Sequence, residues 1–254
     1  MIEDVSKSFG GLRALAGCSL SVAEGAIDGL IGPNGSGKTT LFNVVTGYLR
    51  GERGSVRFRD RVITGAFPDR VFDLGLARTF QVTRIFPELT VLENMLVATQ
   101  RQEGWLRSVI RAASSPGERR RAMELLEFVG LAGLASDPAA TLSYGQRKLL
   151  ELAYVLVAEP SMILLDEPAG GINPSLLNEI YDRIIELNKL GKTFLVVEHN
   201  MGFVMALCHR VNVMDQGRVI ASGTPAEIRA DSRVLDAYLG SDGEDGEEDD
   251  ADGQ

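Results

Sequence analysis

One nine-residue stretch decides the fold prediction: Gly32-Pro33-Asn34-Gly35-Ser36-Gly37-Lys38-Thr39-Thr40. Its first eight residues fit the phosphate-binding pattern G-x-x-x-x-G-K-[ST]. An apolar strand ending in Leu30 and Ile31 precedes it, and the residues from Thr40 to Val45 have the pattern of a helix. A glycine-rich loop between a strand and a helix aims backbone N–H groups and the positive end of the helix dipole at one point. The stretch therefore predicts an anion site that suits the phosphates of a nucleoside triphosphate.

Two side chains of this loop have the chemistry that a bound triphosphate needs. Lys38 would reach the β- and γ-phosphates as a positive charge, and the Thr39 hydroxyl would be a ligand of Mg²⁺. The alternative is an ordinary glycine-rich turn between a strand and a helix, which the bare pattern leaves open. The loop residues expected to contact the nucleotide are Gly32, Pro33, Asn34, Gly35, Ser36, Gly37, Lys38, Thr39 and Thr40.

A second signal lies where an apolar run ends in two carboxylates, Met162-Ile163-Leu164-Leu165-Asp166-Glu167-Pro168. Neighbouring side chains of an extended chain point in opposite directions, so the two acids can serve different tasks. Asp166 suits the coordination shell of Mg²⁺, and Glu167 suits a base that orients and deprotonates an attacking water. Taken alone, two acids at a strand end are also compatible with a helix cap or a turn. Beside a phosphate loop, they predict hydrolysis of the triphosphate.

Composition and charge limit the class of protein. The 254 residues, 44% of them apolar, suffice for one large or two small domains. No apolar run approaches the length of a membrane-spanning helix, so a membrane role would come through a partner. Residues 241–254 contain eight Asp and Glu and neither Lys nor Arg, so most of the net charge of −9 lies there. We expect a disordered acidic tail and a nearly neutral body that does not bind nucleic acid.

The order of the predicted strands and helices gives the architecture. Strands at 18–22 and 27–31 and a hairpin around Arg59-Asp60-Arg61 indicate an antiparallel β portion beside the phosphate loop. Helices dominate between 67 and 136, and strands then alternate with helices, which indicates a mainly parallel sheet. The predicted class is α/β, a P-loop NTPase with a mainly parallel sheet, an antiparallel β portion and a helical subdomain inserted at about 82–158.

Four further stretches make the chain resemble the ATP-binding subunit of an ABC transporter. Leu142-Ser143-Tyr144-Gly145-Gln146 is similar to the family's signature motif L-S-G-G-Q, with Tyr144 in place of the first glycine. Arg78-Thr79-Phe80-Gln81 resembles the segment that ends in the Q-loop glutamine. Ala169-Gly170-Gly171-Ile172-Asn173 occupies the D-loop position, with Asn173 where Asp is commoner. Val196-Val197-Glu198-His199 ends in what resembles the switch histidine, and all the motifs follow the family's order over residues 5–240.

The resemblance implies further site residues. Gln81 would bind the metal, sense the γ-phosphate and touch a membrane partner, and His199 would hold the γ-phosphate. Phe9 falls where the family stacks the adenine ring, although an isolated aromatic residue is more often part of a core. Ser143 and Gly145 begin a predicted helix, an anion site that one chain cannot fold onto its own phosphate loop; in the family, each signature closes over the ATP of a second subunit. The implied catalytic residues are Glu167, His199 and Gln81, and the implied metal ligands are Thr39, Gln81 and Asp166.

Several stretches resemble the import ATPases for hydrophobic amino acids, including the tyrosine in the signature, Leu76 to Gln81, Glu167 to Pro174 and Gly223 to Gly240. The resemblance implies an ATP- and Mg²⁺-dependent ATPase that pairs with an identical or a different second ABC ATPase subunit. It would drive two transmembrane permease subunits, and indirectly serve a solute-binding protein, to import branched-chain amino acids. Its implied location is the cytoplasmic face of the inner membrane, peripheral through the permease.

Related activities stay open as alternatives. ATPases of urea and amide import and of lipopolysaccharide export share many of the same motifs. A non-transport ABC ATPase would need a long coiled-coil or zinc insertion or two tandem cassettes, whereas Gln81 and Ser143 are only 62 positions apart. A non-hydrolysing ATP-binding regulator is disfavoured by Glu167 and His199. Residues 1–240 are expected to form the ATPase domain and 241–254 the tail.

Overall fold

The structure is a computed structural model that describes residues 1–79, 85–99 and 115–241. Its strands are β1 Ile2–Phe9, β2 Leu12–Leu20, β3 Ile27–Ile31, β4 Arg53–Phe58, β5 Arg61–Val62, β6 Leu76–Arg78, β7 Met162–Asp166, β8 Thr193–Val197, β9 Arg210–Asp215 and β10 Arg218–Gly223. Its α-helices are α1 Lys38–Val45, α2 Pro68–Asp73, α3 Val91–Thr99, α4 Pro116–Phe128, α5 Tyr144–Leu156, α6 Pro174–Lys189, α7 Met201–Leu207, α8 Pro225–Ala230 and α9 Ser232–Ser241.

A sheet with six described strands, in the order β10-β9-β3-β8-β7-β6, positions the motifs. Its pairs are parallel except for β9 with β10, which confirms the mainly parallel sheet. The carboxyl ends of β3, β7 and β8 therefore meet at one edge of the sheet. In parallel α/β sheets this edge is where ligands bind, because the loops that leave the strands converge there.

The predicted antiparallel portion is confirmed as a second sheet, in the order β2-β1-β4-β5 among the described strands. The strand expected at 27–31 does not belong to it, because it is β3, which pairs in parallel with β8 and β9 in the larger sheet. One boundary within it was wrong, because the strand expected at 18–22 is β2, which runs from Leu12 to Leu20. Its first half, Leu12-Arg13-Ala14-Leu15-Ala16-Gly17, lacks the strong apolar alternation of a strand. Pairing with β1, from Phe9 opposite Leu12 to Val5 opposite Cys18, determines its extended structure instead.

The larger sheet separates two apolar cores. Ile163 and Leu165 of β7 lie in the core shared with α3, α4 and α5, whereas Leu164 points into the core shared with α1 and the antiparallel sheet. Alternate residues of β8 divide in the same way. Because both faces of these strands are buried, their sequences are nearly continuous apolar runs. Cys18 and Cys208 are buried free thiols.

Helices α3, α4 and α5 fall within the stretch expected to be an inserted helical subdomain, and they pack against one another. A capping box lies at the start of α3, since the Glu93 N–H donates to Thr90 Oγ1 and the Thr90 N–H donates to Glu93 Oε2. The subdomain limits and the tail remain predictions, because 80–84, 100–114 and 242–254 lie outside the described residues. Within the described ranges, no helix combines the length and the apolarity needed to cross a bilayer.

A buried acid lies in β3, the strand that leads to the phosphate loop. Asp28 is 2% exposed and is paired in the sheet with Arg210. Burial raises the pKa of Asp28 from 3.8 to about 6, and Arg210 and His209 oppose part of that shift. The folded chain therefore keeps a proton on Asp28 that the unfolded chain has already released. The contribution of protonated Asp28 to the free energy of unfolding is fully present below pH 3.8 and is lost as the pH rises through about 6.

We expect Asp28→Asn to stabilise the protein at pH 8 by about 1–3 kcal/mol, because Asn imposes no cost of ionisation in the core. At pH 4.5 the gain should be smaller by about 1–2 kcal/mol, since wild-type Asp28 is then largely protonated in the folded chain. Urea unfolding of both proteins at the two pH values measures the difference. A gain that is the same at both pH values would show that Asp28 does not titrate in this window.

Candidate active site

The loop that joins β3 to α1 is closed by the side chain of Lys38. Its Nζ donates to the carbonyl oxygens of Gly32 at 2.8 Å and Pro33 at 2.9 Å, and it lies 3.3 Å from Ser36 Oγ. Burial lowers the pKa of Lys38, and the negative charges of Glu167 and Asp166 act in the opposite direction. Among the described residues, the hydrogen-bond partners of this ammonium group are neutral oxygens, which it can exchange for the oxygens of an anion.

The geometry of this loop fits a phosphate group. Gly32 has a φ of +149°, and a Cβ on it would lie 2.0 Å from the Met214 carbonyl oxygen, so only glycine fits there. Helix α1, described over its whole length, has neither a side-chain cap nor an acid in its first turn. Its first N–H groups and its positive dipole end are therefore open to an anion. By contrast, α5 and α6 each begin with a side-chain cap.

Asp166 is fixed at the carboxyl end of β7. Its Oδ2 accepts a hydrogen bond from Arg78 at 2.7 Å, and both side chains are buried. Arg78 also donates to Asn43 Oδ1 on α1 at 2.6 Å, and the Asp166 N–H donates to Thr79 Oγ1 at 3.1 Å. Arg78 was part of a quoted motif but had no predicted role. Arg78 can link β7 to α1 because its own strand, β6, pairs in parallel with β7. No local sequence pattern reveals that pairing.

Glu167 and His199 meet beside the phosphate loop. The Glu167 N–H donates to the Val197 carbonyl oxygen at 2.9 Å, which extends the pairing of β7 with β8 by one bond. His199 Nε2 lies 2.9 Å from Glu167 Oε1, and both side chains are partly exposed. Glu167 has a φ of +51°, a left-handed conformation that is uncommon for a residue other than glycine. Such strain costs about 1–3 kcal/mol and is concentrated at functional sites.

The predicted signature residues lie at the start of α5. Ser143 caps this helix, because its Oγ accepts from the Gln146 N–H at 3.3 Å while Gln146 Oε1 accepts from the Ser143 N–H at 2.9 Å. Gly145 has a packing role that the sequence did not reveal, since a Cβ on it would lie 1.7 Å from Leu176 Cδ2 on α6. Among the described residues, no hydrogen bond joins Ser143 to the phosphate loop of the same chain.

The sheet edge thus brings together the phosphate loop, Asp166, Glu167 and His199. Phe9, at the end of β1, is 47% exposed and lies under Lys7 Nζ at 5.4 Å from the ring centroid, so it is not a core residue.

The predicted Gln81 lies outside the described residues. In the described ranges, no group of three His, Cys, Asp or Glu side chains is placed to hold a metal ion. A metal at this edge would therefore need ligands such as a hydroxyl and the nucleotide itself.

Comparison with known proteins identifies the family. Residues 15–170 match the family described as ABC transporter, and residues 218–244 match the one described as branched-chain amino acid ATP-binding cassette transporter. The high-affinity branched-chain amino acid transport ATP-binding protein LivG of Salmonella typhimurium is 41% identical over 246 residues, which cover 94% of this chain and 96% of that protein. The probable LivG protein of Methanocaldococcus jannaschii is 38% identical with the same coverage.

Solved structures agree with this assignment. An ATP-binding cassette of an ABC transporter in its ADP conformation has a TM-score of 0.85 and 37% identity, covering 94% of this chain and 97% of that chain. A dimeric cassette in a post-hydrolysis state, bound to ADP and Pi, has a TM-score of 0.75 and 26% identity, covering 88% of this chain and 97% of that chain. The chain therefore belongs to the ABC transporter family, as an ATP-hydrolysing, ATP-binding subunit of the branched-chain amino acid type.

Proposed function

We propose that this chain binds ATP with Mg²⁺ and hydrolyses it to drive the import of branched-chain amino acids through a separate permease. The observation that carries the proposal is the convergence of Lys38, Asp166, Glu167 and His199 at one sheet edge. The match of residues 218–244 to the branched-chain amino acid family supports the choice of solute.

Binding is assigned to the phosphate loop. Lys38 exchanges its bonds to the Gly32 and Pro33 carbonyl oxygens for bonds to β- and γ-phosphate oxygens. The N–H groups of the loop and of the first turn of α1, including those of Thr39 and Thr40, complete the cradle. Phe9 is assigned to the adenine ring, which its exposed position permits.

Thr39 and Asp166 supply oxygen ligands of the kind Mg²⁺ prefers, and Gln81 is the third proposed ligand. When bound, Mg²⁺ neutralises charge on the phosphates as the transition state forms. Arg78 supports this arrangement from the protein side, because it ties Asp166 to Asn43 on the helix that follows the phosphate loop. The carboxylate is thereby held in register with the loop before any ligand arrives.

Hydrolysis is assigned to Glu167 and His199. Glu167 orients a water and takes its proton as the water oxygen bonds to the γ-phosphorus and the bond to the bridging β–γ oxygen breaks. ADP leaves with that oxygen, and inorganic phosphate leaves with the oxygen of the water. His199 would hold an oxygen of the γ-phosphate during this step, which its position 2.9 Å from Glu167 supports.

The proposed assembly is a pair of ATPase subunits attached to two permease subunits. Ser143 and Gly145 of one subunit would close over the ATP of the other, which is supported by the exposed position of Ser143 and by the dimeric cassette among the relatives. A groove of about 510 Å³ between α2 and α5, which exposes Tyr48 and Phe72 near Arg78, is the proposed permease contact. Attachment through the permease would place the chain at the cytoplasmic face of the inner membrane.

Uptake of radiolabelled leucine by cells that lack their own branched-chain import ATPase tests this function. Co-expression of this chain with its cognate permease and binding protein should restore ATP-dependent leucine uptake, and the Glu167→Gln variant should not. The same cells are assayed with radiolabelled urea as the competing solute. Restored urea uptake without leucine uptake would contradict the assignment of the solute.

A further inference from the structure

Glu198 is a buried carboxylate to which neither the motifs nor the proposed reaction assigns a role. It follows β8 directly and precedes His199, yet only 2% of it is exposed. Burying a carboxylate is costly unless hydrogen bonds replace the water that it loses. Its hydrogen-bond partners therefore indicate why the chain keeps an acid at this position.

Both oxygens of Glu198 accept hydrogen bonds from the backbone. Oε1 accepts from the N–H of Ala169 at 2.5 Å, and Oε2 accepts from the N–H groups of His199 at 3.0 Å and Asn200 at 3.1 Å. Burial raises the pKa of Glu198, and these three N–H donors oppose the shift. Since an ionised carboxylate only accepts, all three donors are satisfied at once by the charged form.

The donors belong to two different loops. Ala169 lies in the loop after β7, two positions after Glu167, and His199 and Asn200 lie in the loop after β8. Asn200 is also the N-cap of α7, with its Oδ1 accepting from the Phe203 N–H at 3.0 Å. The backbone of His199 is therefore held on one side by Glu198 and on the other by a capped helix. Oε1 of Glu198 then links this segment to the loop that carries Glu167.

We infer that Glu198 is a positioning residue for ATP hydrolysis, which fixes the loop of His199 against the loop of Glu167 so that the two side chains meet. This inference rests on the proposed function. Glu198 is buried, and its hydrogen bonds run to the backbone of these two loops. Its removal should weaken the chemical step and leave ATP binding by the phosphate loop unchanged.

Glu198→Gln tests the inference, because an amide can accept at one end only and must turn its NH₂ group toward the N–H donors at the other. We expect kcat of the purified full-length chain to fall about 10-fold or more, with the Kd for a fluorescent ATP analogue changed less than about twofold. In the His199→Ala variant, the same change should lower the single-turnover rate of hydrolysis less than about twofold. The reason is that the contact between Glu167 and His199, which Glu198 aligns, is already lost in that variant. Asp28→Asn, a buried acid-to-amide change in β3 at a residue with no role in the proposed reaction, is the matched control and should keep its kcat.

Equal losses in both backgrounds, an unchanged kcat or a parallel loss of ATP binding would overturn the inference. If Glu198→Gln does not fold, Glu198→Asp decides the question. Aspartate keeps the charge and can bond its own loop, but it is one methylene shorter and does not reach Ala169. We therefore expect Glu198→Asp to lower kcat by the same factor when His199 is present, and to have little effect in the His199→Ala variant. Wild-type-like turnover by Glu198→Asp would contradict the inference. Absence of turnover in the wild type would instead contradict the proposed function.

Discussion

Glu167→Gln should lower kcat for ATP hydrolysis by at least about 100-fold, because the amide cannot take a proton from the attacking water. The change is nearly isosteric, and Gln can still accept a hydrogen bond from His199, which lies 2.9 Å from the carboxylate oxygen. ATP affinity should therefore stay within about threefold of the wild type. Phosphate release and equilibrium binding of a fluorescent ATP analogue measure the two quantities.

Glu179→Gln is the matched control for this experiment, since Glu179 is an exposed acid on α6 that belongs to none of the motifs. Its turnover should equal that of the wild type. Size-exclusion chromatography of Glu167→Gln with ATP should also reveal a dimer that persists, because ATP between the subunits is not consumed. Equal kcat values for wild type and Glu167→Gln would mean that another group is the base.

Lys38→Ala should reduce ATP affinity by about 100-fold, because the variant loses the only charged donor of the phosphate loop. The change also leaves the carbonyl oxygens of Gly32 and Pro33 without the donor that now satisfies them. We therefore expect a loss of about 1–2 kcal/mol in the free energy of unfolding as well. Titration with the fluorescent ATP analogue gives the affinity, and urea unfolding gives the stability.

Lys189→Ala, which removes an exposed lysine at the end of α6, controls for the change in net charge. It should bind ATP as the wild type does. If Lys38→Ala retained wild-type affinity while folded, the phosphate loop would not be the nucleotide site.

The sequence predicted best where local patterns determine the structure. The phosphate loop has its glycines, its lysine and its flanking strand and helix within one short stretch, so spacing alone suffices. The helix α6 is specified in the same way, because Asn173 caps it, Pro174 opens it, and Ile180, Ile184 and Leu187 form a buried stripe. Each of these signals acts within a few residues of the structure that it specifies.

Contacts between distant segments were not predictable in this way. Arg78 reaches Asp166 because β6 pairs with β7, although the two residues are far apart in the sequence. Glu198 bonds Ala169 because β7 and β8 are neighbours in the sheet. The early start of β2 has the same cause, since its extended structure follows from pairing with β1. A single sequence contains no periodic signal for which strands are adjacent.

The packing role of Gly145 also depends on such a contact. Its place in the signature motif suggested only a nucleotide contact, whereas the approach of Leu176 leaves no space for a Cβ at this position. For Phe9, two sequence arguments disagreed. The usual burial of aromatic residues favoured a core position, whereas the family resemblance favoured an exposed position that could stack on adenine. Its exposure of 47% agrees with the resemblance.

Phosphate release from ATP by the purified wild-type chain, measured with Mg²⁺ and again after its removal by EDTA, tests whether this sheet edge hydrolyses ATP. We expect turnover with Mg²⁺, loss of most of that turnover in EDTA, and no turnover by Lys38→Ala under either condition. Absence of turnover with Mg²⁺, or equal turnover by Lys38→Ala, would contradict the claim that this sheet edge hydrolyses ATP.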